Sequence, residues 1–228
     1  MKEINFDIEC WYNCNNKEIE NSKGFDCRKT CQRYLYMNFL IINCGKPDSE
    51  NFIKKLIPDK SDKKAFDRLK VIKENIKTYI KDGNNLYIHS KHIQNGKTTW
   101  AIKIMYRYFH EIWYGSDLSP KGYFIYVPEF LNNMKNFEYR KTKECNELEE
   151  IINSADIVIW DDITFKLSTQ EQTILQNYIN KRFLNHKSNI FTGFDDGQIE
   201  NNIGIRLYKM LTSCEDIEFI STRYEIQK

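Results

Sequence analysis

The chain has 228 residues, 41% of them apolar and 29% charged, with only nine Gly and four Pro. That excludes a collagenous, low-complexity or linker-dominated polypeptide and predicts one domain with an appendage. Thirty-four basic residues against 32 acidic ones leave +2, so bulk charge marks neither a nucleic-acid binder nor a membrane binder. No apolar run approaches the roughly 18 residues of a membrane-spanning helix. Met1–Asp7 lacks the apolar core of a signal peptide, so the cytoplasm is the expected location.

Five of the seven cysteines fall in the first 44 residues: Cys10, Cys14, Cys27, Cys31 and Cys44. Cytosolic thiols stay reduced, which disfavours disulfides and raises the question of a metal. Cys10 and Cys14, then Cys27 and Cys31, form two pairs of soft ligands, each with three intervening residues, separated by twelve. Two short-spaced pairs joined by a loop suit tetrahedral zinc with four thiolates. Arg28, Lys29 and Arg33 would offset the negative charge of such a site. The alternative is a set of reduced structural cysteines in a small helical subdomain. Cys44 is an alternate ligand, while Cys145 and Cys214 read as buried thiols. Residues 1–81 carry 17 basic and 12 acidic side chains, residues 82–228 carry 17 and 20, and turn signals cluster between Asn43 and Asp62. The expected division is a cysteine-rich zinc module over 1–50, a connector with an amphipathic helix over 51–81, and a core over 82–228.

Ala65, Phe66, Leu69, Ile72, Ile76, Tyr79 and Ile80 follow a helical period, with Ser61 or Asp62 as candidate N-cap. Leu86–Ser90 reads as a buried strand. A helix follows with Trp100, Ala101, Ile104, Met105, Tyr108, Phe109, Ile112 and Trp113 on one face and a stop at Gly115. Further strands are expected at Tyr123–Val127, Asp156–Trp160, Asn189–Thr192 and Ile217–Ile220. A helix opens at Ser168 with a capping box to Glu171 and runs to Leu184. Strand and helix alternating at these spacings predict an α/β fold with a mainly parallel five-stranded sheet.

The loop after the first core strand reads Ser90-Lys91-His92-Ile93-Gln94-Asn95-Gly96-Lys97-Thr98-Thr99. Gly96-Lys97-Thr98 is the back half of a Walker A phosphate-binding loop, placed between a strand and a helix as that motif requires. Gly96 admits phosphate close to the backbone, and Asn95 and Thr99 flank the cradle. Lys97 reaches the β- and γ-phosphates and Thr98 ligates Mg²⁺. The front half departs from the pattern, because Lys91 stands where Gly is expected. Sixty-four residues beyond Lys97, Ile157-Val158-Ile159-Trp160-Asp161-Asp162 reads as a Walker B strand. Asp161 there would hold Mg²⁺ and Asp162 would act as general base on the attacking water. The alternatives are a helix N-terminus with a surface lysine and a core strand with an acidic end. The pair of motifs predicts a P-loop NTPase that binds ATP with Mg²⁺.

Asn95–Lys103, Ile157–Ile163, Ser188–Thr192, Ile203–Leu207 and Cys31–Tyr34 together resemble the phage-type DnaC/DnaI-like replicative helicase loaders, AAA+ ATPases of low-GC Gram-positive bacteria and their phages. The resemblance covers nearly the whole chain. It implies an AAA+ ATPase core, chromosomal or phage-encoded, in the bacterial cytoplasm, with a DnaB-type replicative helicase and single-stranded DNA as partners. The N-terminal part would contact the helicase and the core the DNA. Arg206 matches the arginine offered in trans to a neighbour's γ-phosphate, which implies self-assembly or a helicase-bound oligomer. Its alternative is a surface arginine. Where the family has Thr-Ser-Asn, this chain has Thr192-Gly193-Phe194, leaving Thr192 to face the nucleotide and Asp195 or Asp196 to substitute for the polar group.

Lys135, Arg140, Lys141 and Lys143, interleaved with Phe137 and Tyr139, suit phosphate contacts with base stacking, or else form a solvated charged face. Two rival functions stand beside this reading, the first of them marked by the departures at Lys91 and Phe194. One is a nucleotide-binding adaptor or inhibitor of a host replication protein with little hydrolysis. The other is an IstB-like transposition helper ATPase.

Overall fold

The computed structural model describes residues 27–46, 56–57, 59–112, 119–136, 138–222 and 225–226. Cys10, Cys14, Trp113, Gly115 and Phe137 lie outside the described residues. Five strands form a wholly parallel sheet: β2 (Leu86–Ser90), β3 (Gly122–Tyr126), β4 (Ile157–Asp161), β5 (Ser188–Phe194) and β6 (Glu215–Phe219). Their order is β3-β4-β5-β2-β6. A short antiparallel pair joins β1 (Leu56–Ile57) to β7 (Glu225–Ile226).

Alternation along each strand sends side chains to two faces. Leu86 and Ile88 of β2, with Ile157 and Ile159 of β4, meet α1 (Gln32–Ile42), α2 (Lys63–Glu74), α3 (Ile76–Lys81) and α4 (Lys97–Glu111). Tyr87, Val158, Trp160 and Phe191 meet α5 (Val127–Lys135), α6 (Lys143–Ser154), α7 (Thr169–Leu184), α8 (Ile199–Ile203) and α9 (Ile205–Thr212). The result is a three-layer α/β/α sandwich. Residues of α1 share a core with α4: Tyr34, Met37 and Leu40 are buried in the same cluster as Trp100, Ile104 and Phe109. Cys44 is fully buried there, its thiol donating to the Ile41 carbonyl at 3.0 Å.

The expected helix over 65–80 is two helices. Asn75 breaks it by folding its side-chain amide back onto the Val71 carbonyl at 2.9 Å, competing with helix propagation. Pro128 starts α5 immediately after β3, so Val127 belongs to the helix rather than the strand. The capping box at Ser168 is present, with Ser168 N–H donating to Glu171 Oε2 at 2.7 Å.

Under the sheet's N-terminal edge lies a buried arginine. Arg182 on α7 donates to Asn189 Oδ1 (2.8 Å) and to the carbonyls of Ala155 (3.0 Å), Ser188 (2.6 Å) and Ile152. It closes the orphan carbonyls at the end of α6 and ties them to β5. No helix among the described residues is long and apolar enough to cross a membrane.

Candidate nucleotide site

The loop from β2 to α4 is shaped by its own polar groups. Ser90, fully buried, accepts hydrogen bonds through Oγ from His92 N–H at 3.0 Å and from Asn95 Nδ2 at 2.6 Å. Gln94 (φ 58°) and Gly96 (φ 92°) take the left-handed conformation, which turns the chain into α4. Gly96 occupies that conformation at no steric cost. Helix α4 then begins at Lys97, and its first backbone N–H groups lack intrahelical partners, a ready anion cradle. Lys97 Nζ donates to the His92 carbonyl at 2.7 Å and to Asn95 Oδ1 at 2.9 Å. Thr99 is buried beneath the loop, and Lys91 is exposed at its start.

The end of β4 closes on this loop. Thr98 Oγ1 donates to Asp161 Oδ1 at 2.7 Å, and Thr192 Oγ1 on β5 donates to the same oxygen at 2.6 Å. The Thr192 oxygen in turn accepts the Asp162 N–H at 3.1 Å. Asp162 adopts φ 59°, so its half-buried side chain leaves the line of β4. Its carboxylate accepts no hydrogen bond from the described residues.

Burial pushes the carboxyls of both Asp161 and Asp162 up from the usual range. For Asp161 the bonds from Thr192 and Thr98 oppose that rise, and for Asp162 the Lys97 charge does. Burial pushes Lys97 down to about 8, against the pull of both aspartates. The buried Asp161 and half-buried Asp162 carboxyls, beside the Thr98 hydroxyl, form a hard-oxygen donor set of the kind that could hold Mg²⁺. A divalent cation there would supply the positive charge the buried carboxylates lack.

Other predicted residues lie apart from this cluster. Arg206 is exposed on α9, without a hydrogen bond or ion pair to the described residues. Asp196 caps the start of α8, accepting from Gln198 N–H (2.8 Å) and Asn202 Nδ2 (3.0 Å). Asp195 accepts from Gly197 N–H at 2.8 Å and faces His89 Nδ1 at 3.7 Å. Neither contacts Lys97 or Asp161, so neither stands in for the missing polar group at Phe194, itself exposed. The basic stretch after α5 is paired with carboxylates: Lys135 with Glu171 (2.8 Å), Lys141 with Glu138 (3.2 Å) and Lys143 with Glu147 (3.1 Å). Cys27 and Cys31 sit half-buried one turn apart, with Cys31 N–H donating to the Cys27 carbonyl at 3.0 Å. Among the described residues no three metal-ligating side chains cluster.

Three residues of this neighbourhood had no sequence signal. Ser90 shapes the loop, the Ser221 carbonyl reaches Asn95 from the far end of the chain, and Asp62 holds Ser221. Only Ser90's position at the strand end, five residues before Asn95, offered a local hint.

The DnaC helicase loader superposes with a TM-score of 0.60 and 14% identity, covering 75% of this chain and 99% of that one. DnaI superposes at 0.55 with 16% identity, covering 79% and 92%. The replication initiator DnaA bound to AMPPCP and single-stranded DNA superposes at 0.57 with 18% identity, covering 72% of this chain and 47% of that one. The chain therefore spans about half the length of that DnaA. No protein-family model and no curated protein matches the sequence. The chain shares its α/β fold, with a parallel five-stranded sheet, with these proteins.

Proposed function

We propose that the chain is an ATP-dependent DNA replication protein that loads a DnaB-type ring helicase onto single-stranded DNA. The observation that carries the nucleotide part is the Thr98–Asp161 hydrogen bond, which brings together two motifs 63 residues apart at the mouth of a helix N-terminus. In this reading Asn95, Gly96, Lys97, Thr98 and Thr99 wrap the ATP phosphates, with Lys97 moving from Asn95 Oδ1 to the β- and γ-phosphates. Thr98 and Asp161 hold Mg²⁺, which neutralises developing charge on the phosphates. Thr192 orients Asp161. Asp162 takes the proton of the water that attacks the γ-phosphorus, and ADP leaves with its bridging oxygen. Arg206, exposed and unpaired, serves the site of a neighbouring subunit.

The loading task is supported by the likeness in fold to the DnaC loader and DnaI, and a DNA contact by the DnaA structure with bound single strand. The N-terminal residues 1–50, with Cys10, Cys14, Cys27 and Cys31 on zinc, form the helicase-binding part; its helix α1 and the helices within 51–81 pack into the same core as the ATPase segment over 82–228. The site of action is the bacterial cytoplasm. The test combines single-strand-stimulated ATP hydrolysis with mass determination of a complex with the replicative helicase. Wild type should hydrolyse ATP and co-purify with the helicase, while Lys97→Ala and Asp162→Ala should lose turnover. Wild type no faster than these variants would sink the enzymatic reading.

One observation favours a second reading. Thr192 is committed to Asp161 and Asp162, and among the described residues neither Asp195 nor Asp196 bonds to this cluster in place of a polar group at Phe194. Tight ATP binding with turnover at background would mark a nucleotide-controlled adaptor instead. Turnover without helicase binding would favour the transposition helper.

A further inference from the structure

Asp62 stands at the start of α2, where its carboxylate could cap the helix, yet it makes no capping bond. Only 2% exposed, it turns instead to the chain leaving β6. There it accepts from Ile220 N–H at 2.6 Å, from Ser221 N–H at 3.2 Å and from the Ser221 hydroxyl. This grip fixes the Ser221 carbonyl, which accepts from Asn95 Nδ2 at 3.2 Å. Asn95 is itself 1% exposed. Its Nδ2 also donates to Ser90 Oγ at 2.6 Å, and its Oδ1 accepts from Lys97 Nζ at 2.9 Å. Both donors and the acceptor of the amide are thus engaged, and one of the oxygens that orient it is placed by Asp62.

We propose that Asp62 and Ser221 are positioning residues of the nucleotide site, acting through Asn95 to hold the phosphate loop in its binding shape. The inference rests on the nucleotide-binding reading above and adds a control to it. When the phosphates draw Lys97 off Asn95 Oδ1, the amide stays anchored by Ser90 and Ser221, so the loop need not reorganise. Nucleotide affinity then depends on where the segment after β6 sits, and any partner that shifts Ile220–Ser221 changes it.

A mutant cycle on the full chain tests this, reading affinity for AMPPCP with Mg²⁺. Loss of a charge-assisted clamp predicts roughly tenfold weaker binding for Asp62→Asn and a similar loss for Asn95→Ala. Because Asp62 acts through Asn95, Asp62→Asn should cause no further loss in the Asn95→Ala background, a non-additivity that general weakening of the fold does not produce. Ser221→Ala keeps the carbonyl and loses only the hydroxyl contact, so about twofold to threefold weaker binding is expected. It replaces Asp62→Asn in the cycle should that variant fail to fold. Equal losses in both backgrounds, or unchanged affinity in Asp62→Asn, would overturn the proposal while leaving nucleotide binding intact. A wild type that binds no AMPPCP, or binds it as well after Lys97→Ala, would overturn both readings.

Discussion

Lys97 rests on two neutral oxygens, the His92 carbonyl and Asn95 Oδ1, in a half-buried place that pushes its ammonium down to about 8. Only the protonated form attracts phosphate. A group whose proton is held loosely in the free protein must regain it on binding an anion. Affinity for AMPPCP with Mg²⁺ should therefore be full below about pH 8 and fall as pH rises through it, with proton uptake near the midpoint. Calorimetric titrations between about pH 7 and 9, in buffers of different ionisation heat, check this. Lys97→Arg should flatten the profile, because a guanidinium stays charged across that range. A pH-independent affinity for wild type would contradict the account. Lys97, Thr98 and Asp161 were legible as residues because each sits at a fixed offset from a strand end or helix start. The position of Lys97 on Asn95 was not, since side-chain hydrogen bonds leave no periodic trace.

At the scale of elements, Arg182 joins α7 to the end of α6 and the start of β5 through the carbonyls of Ile152, Ala155 and Ser188. Burial pushes its guanidinium down to about 9, and its donors remain satisfied while charged. Arg182→Ala would leave several buried acceptors unpaired, and a loss of about 3–5 kcal/mol is expected in urea unfolding. Arg182→Lys should recover little, because one ammonium cannot reach acceptors spread over a guanidinium fork. A loss below about 1 kcal/mol would show that water substitutes for the arginine. The capping box of α7 was legible from Ser168 and Glu171, whereas nothing in the local sequence singles out the arginine inside the same helix. Gly193 carries a comparable lesson. A Cβ there would lie 2.4 Å from Thr164 Cγ2, so the departure from Thr-Ser-Asn has a packing cause on the neighbouring loop.

At the scale of the whole molecule, α1 contributes Tyr34, Met37 and Leu40 to the core that also buries Trp100, Ile104 and Phe109 of α4. The proposed zinc site lies just before α1, with Cys27 and Cys31 as its described half. Elemental analysis of the full chain purified without added metal should find about one zinc per chain. Cys27→Ser with Cys31→Ser should release the metal and lower the melting temperature, because metal binding there is folding free energy. A metal-free wild type would remove zinc from the account.

The sequence by itself determined the α/β class, the parallel strands and the positions of the two motifs, because helix and strand periods and motif offsets are local quantities. Tertiary structure alone decided that α1 belongs to the core, that Asp62 abandons its helix cap for Ser221, and that Thr192 serves Asp161. It also decided that Lys135, Lys141 and Lys143 pair with Glu171, Glu138 and Glu147. Each of these depends on which groups the closed chain brings within bonding distance. The Asp62 contact joins residues 158 and 159 positions apart, and no local pattern of residue types records such a meeting.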